Sequence, residues 1–565
     1  MRALSPKSWG LATTILLGAI LRFWNLDLKP LWMDETITAL FSLGHSYSEV
    51  ALGQVQPLAK LSLLFQWQPT SCAAIAEAIR TQSTHPPLFF CWLHQWLGWV
   101  DRFDLSLAWK VRSLPAFLGI LAIPAVYRLN RLAFSPSAGL AAALMMAVSP
   151  FAVYLSQEAR HYTLPMLLLT LSLVGLVLML QDLCERQVVS PGIWVGWVIL
   201  NGLGFYTHYF YALAVMAQIL TMLGLTWLYR AKLPRRAGGV IGLAIAGIVL
   251  IDLPLLPQFI EHLQQPATDW LNLTTSDLNL VTPLLRLLAG FILMVVMLPI
   301  EDQSIAITIG SGLIMLLFSG WLWWRTVRGW VRLWRNAATR LSLLILGSVL
   351  SGLLLEYLVV IYGLGKDLTL AFRYNFMLYP LACALISAGL TAPPALEWEG
   401  QQRSRRFANI REQSLQRDLP LVAAVGLISS VCVVSGLAFL KPFQPGQIVQ
   451  HLQTNPPALV VQTYDSWQSV AFGLSLVANL PQTEPMLWLF QAPQDIKKLV
   501  INPTYTTLKS LWLFSALSNQ APFPTTFTVQ SGAQSSSTSI CRSSQKDYQA
   551  MNIKYRDYHC VRNAR

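Results

Sequence analysis

The chain has 565 residues, 54% hydrophobic and only 12% charged, with a mean hydropathy of +0.49. Soluble domains carry about a quarter charged residues, so a soluble globular protein is excluded, and recurring apolar runs of roughly 20 residues predict a polytopic α-helical membrane protein. The net charge of +13 does not point to nucleic acid, because the basic residues sit in short loops between apolar runs, as cytoplasmic loops of membrane proteins do.

The first apolar run, 9–26, follows Arg2 and Lys7 and has no small-residue cleavage site after it, which predicts a retained signal anchor with a cytoplasmic N-terminus. It leads to "WMDET" (32–36), where Asp34 and Glu35 stand side by side. Carboxylates in a first helical turn complement the helix dipole, so the pair fits a capped amphipathic helix. It equally fits a general base held at a membrane surface. "HPPL" (85–88) follows, with His85 before two prolines that suit the start of a helix.

Further spans are predicted at 109–130, 136–156, 161–181, 192–207, 209–229, 238–257, 305–324, 341–362, 371–391 and 419–440. Two apolar stretches, 86–100 and 283–300, are ambiguous. The basic loops at 127–131, 229–236, 325–340 and 405–417 decide between the alternatives. All four fall inside only if those two stretches are interfacial or re-entrant, which gives about eleven spans, with 13 as the rival count. Asp34, His85, Glu158, His161, His208, the 258–282 loop and Arg373 then share the extracytoplasmic side.

Between the third and fourth spans, "YLSQEARHYTL" (154–164) carries Glu158, Arg160, His161 and Tyr162. A simple turn rarely needs four such groups, and ionisable residues at membrane depth are functional candidates. "GFYTHYFYAL" (204–213) adds His208 among tyrosines, which also fits an aromatic belt. Asp252 and Gln258 are weaker candidates. "FRYNFMLYPL" (372–381) opens a late span with Arg373 and Tyr374. A guanidinium there either snorkels to headgroups or grips a lipid phosphate. The tail, 441–565, mixes strand-like runs such as "ALVVQTY" with Ser-rich stretches and predicts a small extracytoplasmic α/β domain. Cys541 and Cys560 could pair if that tail lies outside, whereas the other five cysteines read as small hydrophobes in or beside apolar segments.

No Walker loop, GxSxG, dinucleotide fingerprint or metal-ligand spacing occurs, which argues against ATP-driven transport and nicotinamide chemistry. A secondary transporter or flippase of lipid-linked sugars is the alternative class. It would place its charges near the bilayer midplane and often show inverted repeats, and no repeat is evident.

The ordered set "WMDET", "HPPL", "YLSQEARHY", "YTHYF" and "FRYNFMLYPL" resembles the GT-C superfamily of polyprenyl-phosphate-sugar glycosyltransferases. Within it, the resemblance is to the group of protein O-mannosyltransferases, lipid A aminoarabinose transferases and rhizobial lipopolysaccharide transferases. It covers roughly 1–440, read as a transmembrane catalytic domain with a first outer loop at about 27–108. The resemblance implies an all-α GT-C-like membrane fold, and an enzyme of the plasma (inner) membrane that takes a hexosyl or pentosyl unit from a polyprenyl-phosphate donor in the bilayer. The acceptor would be an extracytoplasmic glycolipid, polysaccharide or protein, and the anomeric centre would invert. By position in the motifs it implies catalytic roles for Asp34, Glu35 and Glu158. His85 and the Arg373–Tyr374 pair would lie near the donor phosphate. Arg160, His161, Tyr162 and His208 are further candidates for substrate and phosphate binding. No metal ligands are assigned. A divalent cation stays open, since some relatives bind one, but Thr84 stands where one such relative has Glu.

Overall fold

In the computed structural model, residues 6–272, 281–393, 403–441, 445–481, 485–493, 498–501, 509–517, 523–531, 538–550 and 553–562 are described. The stretches 273–280 of the predicted 258–282 loop and 532–537 of the Ser-rich tail lie outside them. In chain order the helices are α1 (Pro6–Phe23), α2 (Met33–Ser42), α3 (Leu58–Ser62), α4 (Cys72–Gln82), α5 (Leu88–Val100) and α6 (Leu107–Ala133). Then come α7 (Pro136–Val148), α8 (Pro150–Ser156), α9 (Thr163–Gln181), α10 (Pro191–Phe205), α11 (Tyr211–Leu228), α12 (Ala237–Asp252) and α13 (Leu256–Leu263). Next are α14 (Thr282–Val295), α15 (Ile305–Arg335), α16 (Ala337–Leu358), α17 (Leu378–Leu390) and α18 (Arg403–Val434). The last helices are α19 (Gly446–Thr454) and α20 (Trp467–Asn479).

The chain forms two compact units. The first comprises Met1–Leu26, Thr84–Phe89 and Arg112–Phe439, and holds the long apolar helices. Among the described residues, six helices are long and apolar enough to span a membrane, and α7 with α8 makes a seventh if the bent pair is one span. The protein is therefore a multi-pass membrane protein. Several predicted spans are shorter as helices than as apolar runs. At 371–391, a 3-10 turn over Phe372–Met377 delays the α-helix to Leu378. At 192–207 the helix stops at Phe205. Of the ambiguous stretches, one forms the 13-residue α5 and the other the 14-residue α14, both below the roughly 17 residues a span requires.

The predicted span 136–156 breaks at Ser149–Pro150, and its halves diverge by 57°. Proline cannot donate to the ladder, and a helix end leaves its last four carbonyls without intrahelical partners. Each of the four finds a side chain. Tyr379 Oη donates to Met145 O at 3.4 Å, Arg22 Nη2 to Met146 O at 2.9 Å, Arg22 Nη1 to Ala147 O at 3.1 Å and Ser430 Oγ to Val148 O at 2.8 Å. Beyond the break, Ser149 Oγ caps α8 by accepting from Ala152 N and donates to Met294 O at 2.8 Å.

Small residues allow the closest helix contacts, as is common where apolar side chains gain little from leaving lipid. Gly329 on α15 faces the carbonyl of Gly389 on α17, and a Cβ at 329 would overlap that oxygen.

The second unit gathers Asp27–Ser83, Phe90–Val111 and Leu440–Arg565. Its sheet of eight strands runs β1-β3-β2-β5-β8-β7-β6-β4. The strands are β1 (Val55–Pro57), β2 (Leu459–Thr463), β3 (Leu487–Gln491), β4 (Lys498–Ile501), β5 (Ser510–Phe514), β6 (Thr526–Ser531), β7 (Thr538–Ala550) and β8 (Ile553–Arg562). β2 pairs in parallel with β3 and β5, and α20 makes the crossover between β2 and β3. This is the α/β character predicted for the tail. Most of the stretch predicted as the first outer loop, 27–83 and 90–108, is part of the same unit, and its β1 pairs antiparallel with β3, Val55 opposite Leu489. Phe41, Tyr47 and Phe90 share a core with Val460, Phe472, Trp488 and Phe514. Cys541 and Cys560 are disulfide-bonded across β7 and β8. Cys72 and Cys91 form a second disulfide, joining α4 to α5, which corrects the reading of both as small hydrophobes. Each cysteine lies in a helix on its own, so nothing in the local pattern brings the two together.

The Gly329–Gly389 contact gives a first prediction. Because the blocking atom is backbone, Gly329→Ala should destabilise the folded chain by about 1–3 kcal/mol, seen as a lower melting temperature in detergent, while Gly310→Ala, with open space around it, should melt like the parent.

Candidate active site

The polar turn after α8 is built by helix ends. α8 stops at Ser156, Gln157 N closes the last turn on Val153 O at 3.0 Å, and α9 restarts at Thr163. Glu158, Arg160, His161 and Tyr162 occupy that turn, and all four are buried. Three other segments of the first unit supply further predicted groups: the His85 turn, the His208 turn between α10 and α11, and the 3-10 turn carrying Arg373 and Tyr374.

Arg160 Nη2 lies 3.0 Å from His85 Nε2. Guanidinium has no acceptor, so His85 Nε2 must be the accepting, unprotonated nitrogen. Arg373 Nε donates to Tyr162 Oη at 3.0 Å. The His161 ring lies 5.2 Å from that of His85 and 4.7 Å from that of His208. Tyr374 is 5.9 Å from His208 and 6.3 Å from Tyr162. Seven predicted residues, His85, Arg160, His161, Tyr162, His208, Arg373 and Tyr374, therefore form one cluster. Glu158 is buried in the same turn, its backbone O accepting from Arg160 N at 2.7 Å. Arg160, His161, Tyr162 and His208 form the buried floor, while His85, Arg373 and Tyr374 keep partial exposure.

The histidines are neutral. Burial, reinforced by Arg160, pushes His208 down to about 3, and Phe210 N donates to its Nδ1 at 3.1 Å, which requires that nitrogen to be unprotonated. Burial first, then Arg160 for His85 and His208 for His161, holds those two well below the usual histidine range. Neither His161 ring nitrogen has a hydrogen-bond partner among the described residues. The cluster thus combines two guanidinium charges with uncharged imidazoles and tyrosine rings. Such a wall can hold an anion on the cations and an uncharged ring or chain on the aromatic faces.

Several neighbours escaped the sequence reading. His262 on α13 bonds Tyr209 Oη through Nδ1 at 3.0 Å. Phe376 packs 5.0 Å from His208, and Trp270 lies 6.2 Å from Tyr374. His262 follows Glu261 on a short amphipathic helix, the one signal that could have marked it.

Asp34 and Glu35 belong to the second unit, in the first turn of α2, and both are buried. Glu35 Oε2 accepts from Trp32 N at 3.4 Å, so Glu35 performs the capping that the pair invited. Asp34 O accepts from Thr38 Oγ1, and the Lys441 ammonium sits 4.9 Å over the Trp32 ring. Among the described residues no three His, Cys, Asp or Glu side chains are arranged to hold a metal ion.

Residues 85–251 match the family of dolichyl-phosphate-mannose-protein mannosyltransferases. That stretch is less than half of the chain. It begins at His85 and contains Glu158–Tyr162 and His208. The structure of ArnT from Cupriavidus metallidurans in the apo state superposes with a TM-score of 0.53 over 98% of both chains, at 11% identity. The same enzyme bound to undecaprenyl phosphate gives 0.51 over 98% of both, at 12% identity. The chain has a GT-C fold. The oligosaccharyltransferase AglB from Archaeoglobus fulgidus, solved with an inhibitory peptide and a dolichol-phosphate, is looser, at 10% identity and a TM-score of 0.47 over 90% of this chain and 69% of that one. No curated protein matches the sequence. The GT-C fold thus confirms the architecture that the ordered motifs implied.

The neutral histidines make stability pH-dependent. A histidine whose folded value is depressed loses stability as pH falls below its unfolded value of about 6.5, toward the folded value, by up to about 1.4 kcal/mol per pH unit. The melting temperature should therefore fall between pH 7 and pH 5. His208→Asn, which keeps an acceptor for Phe210 N, should flatten that fall. An equal slope in the variant would mean that His208 is not buried neutral.

Proposed function

We propose that this chain is a membrane glycosyltransferase that moves a sugar from a polyprenyl-phosphate donor to an acceptor hydroxyl on the extracytoplasmic side. The observation that carries the reading is the pairing of two guanidiniums, Arg160 and Arg373, with neutral imidazoles and tyrosines in helix-end turns of a GT-C fold. A sugar linked through phosphate to a polyprenol already carries a leaving group, so no ATP is needed. Its phosphodiester bears one negative charge and the departing polyprenyl phosphate bears two at neutral pH. The cations therefore interact more strongly with the product-like transition state than with the bound donor, which is the differential that lowers a barrier.

In this mechanism the acceptor oxygen attacks the anomeric carbon from the face opposite the phosphate. The new carbon–oxygen bond forms as the carbon–phosphate-oxygen bond breaks, and configuration inverts. The acceptor proton passes to the carboxylate of Asp34. Glu35 holds the first turn of α2 that presents Asp34. Arg373 and Arg160 take the phosphate, with Tyr162 orienting Arg373 and His85 orienting Arg160. Glu158 positions donor or acceptor, and His161, His208 and Tyr374 provide uncharged surface for the sugar or the first isoprenes. That His85 accepts from Arg160 revises its expected part: it orients a cation, and its Nδ1 is left as the donor. A divalent cation is not needed by this scheme.

Both disulfides, Cys72–Cys91 and Cys541–Cys560, lie in the second unit, and the unpaired Cys184, Cys383 and Cys432 all lie in the first. Disulfides persist in oxidising compartments, which supports an extracytoplasmic second unit. The Arg160–Arg373 cluster is built from helix-end turns, and no internal repeat is evident in the sequence, which favours the transferase over a transporter or flippase.

Asp34→Asn should cut sugar transfer from a polyprenyl-phosphate donor in liposomes by at least 100-fold, the lower range of a general base's contribution, with donor binding retained. Arg373→Met should instead raise the donor KM along with lowering kcat. Parent-like turnover by folded Asp34→Asn protein would remove Asp34 from the mechanism.

A further inference from the structure

The capping at the α7–α8 break runs in both directions. Arg22, near the end of α1, is fully buried, and its two Nη atoms cap the last carbonyls of α7. Gln157, directly after α8, returns the favour: its Nε2 lies 2.7 Å from Trp24 O and 3.4 Å from both Leu21 O and Arg22 O. The end of α1 thus supplies the cap for α7, and the end of α8 supplies the cap for α1. The space is made by glycines. A Cβ at Gly119 of α6 would overlap Ser156 Oγ and crowd Arg22 Nε, and one at Gly18 would overlap Ile123. Arg22 also donates to Gly18 O at 3.0 Å, which fixes the guanidinium plane.

Gln157 is the residue before Glu158, so this clasp anchors the turn that carries Glu158, Arg160, His161 and Tyr162. We propose that Arg22 and Gln157 are positioning residues for the donor-phosphate site: a reciprocal clasp, inside the first unit, that sets where Arg160 and Tyr162 stand. The proposal rests on the glycosyltransferase reading for its effect on turnover, but not for its effect on the turn. The alternative is that Arg22 contributes only to global packing. That alternative predicts uniform loosening, whereas the clasp predicts loosening centred on 157–162. In the proposed reaction, a donor phosphate that shifts relative to its cations loses transition-state stabilisation as well as binding, so kcat falls and donor KM rises together.

The test uses the full chain in lipid nanodiscs. Gln157→Leu removes the amide donor, Arg22→Met removes the guanidinium, Arg22→Lys keeps charge but not the fork, and Gly119→Ala crowds the clasp without deleting a donor. Hydrogen exchange is followed at the amides of 157–162 and, as a reference, of α16. Gln157→Leu and Arg22→Met should exchange at least 10-fold faster at 157–162 with α16 unchanged, Gly119→Ala should do the same, and Arg22→Lys should fall between. With donor supplied as a synthetic polyprenyl-phosphate sugar, the same variants should show lower kcat and higher donor KM, in the same order. Exchange at 157–162 within twofold of the parent in folded Gln157→Leu and Gly119→Ala proteins overturns the proposal, as does equal acceleration in α16. Should Arg22→Met fail to fold, those two variants still decide. Faster local exchange in a chain whose parent transfers no sugar would uphold the clasp and reject the donor-site reading.

Discussion

The requirement that every backbone polar group find a partner inside the protein governs how this chain can use a broken helix. In hydrocarbon an unmatched carbonyl costs several kcal/mol, so the break at Ser149–Pro150 is tolerable only because Tyr379, Arg22 and Ser430 meet the four exposed carbonyls of Met145 to Val148. Those donors come from α17, α1 and α18, three segments remote in sequence. The break is thus an organising point at which separate spans are tied together, rather than a flaw in one of them.

What the break provides is a change of direction. An unbroken helix from Pro136 would carry its side chains along one line. The 57° bend lets α8 finish in a tight polar turn whose next four ionisable or aromatic groups point into the first unit. Once there, the low-dielectric setting decides their charge states. Two guanidiniums remain charged because their intrinsic affinity for the proton is so high, and the histidines beside them give theirs up. The pattern is self-consistent: Arg160 donates to His85 Nε2 and Phe210 N to His208 Nδ1, so both hydrogen bonds require the neutral rings that burial favours.

Much of this was legible in the sequence, for reasons that also explain what was not. Glu158, Arg160, His161 and Tyr162 stood out because four such groups interrupt apolar runs, a local contrast that a linear reading detects. His208, Arg373 and Tyr374 stood out in the same way. The pairings among them did not, since Tyr162 and Arg373 are 211 residues apart and His85 and Arg160 are 75 apart, and no periodicity links such distant positions. Arg22 did not stand out within the predicted run 9–26, yet it is wholly buried, with carbonyl partners at Met146 and Ala147 of another helix. Helix lengths were overestimated where hydropathy ran on through a turn, as at Phe372–Met377. In the second unit, the α/β character of the tail showed in its strand-like runs, while the recruitment of Val55–Pro57 into the sheet and the Cys72–Cys91 bond depended on tertiary contacts alone.

The charge arithmetic of the cluster bears on why imidazoles, and not more arginines, line it. In the proposed reaction, a wall of four or five cations would hold a product phosphate with two charges as firmly as the transition state, which would slow its release. It would also be costly to bury, since each added cation repels its neighbours in a medium that screens them poorly. In the proposed reaction, two guanidiniums would match the charge of the departing phosphate, and neutral rings would fill the remaining surface without adding to its grip. Because the rings are held neutral by burial and by those same two arginines, their protonation is coupled to the cations. Removing either arginine would relieve the smaller part of what keeps the imidazoles uncharged, since burial is the first cause for each ring. Arginine and histidine in this cluster are therefore not independent parts, and single substitutions within it will not add.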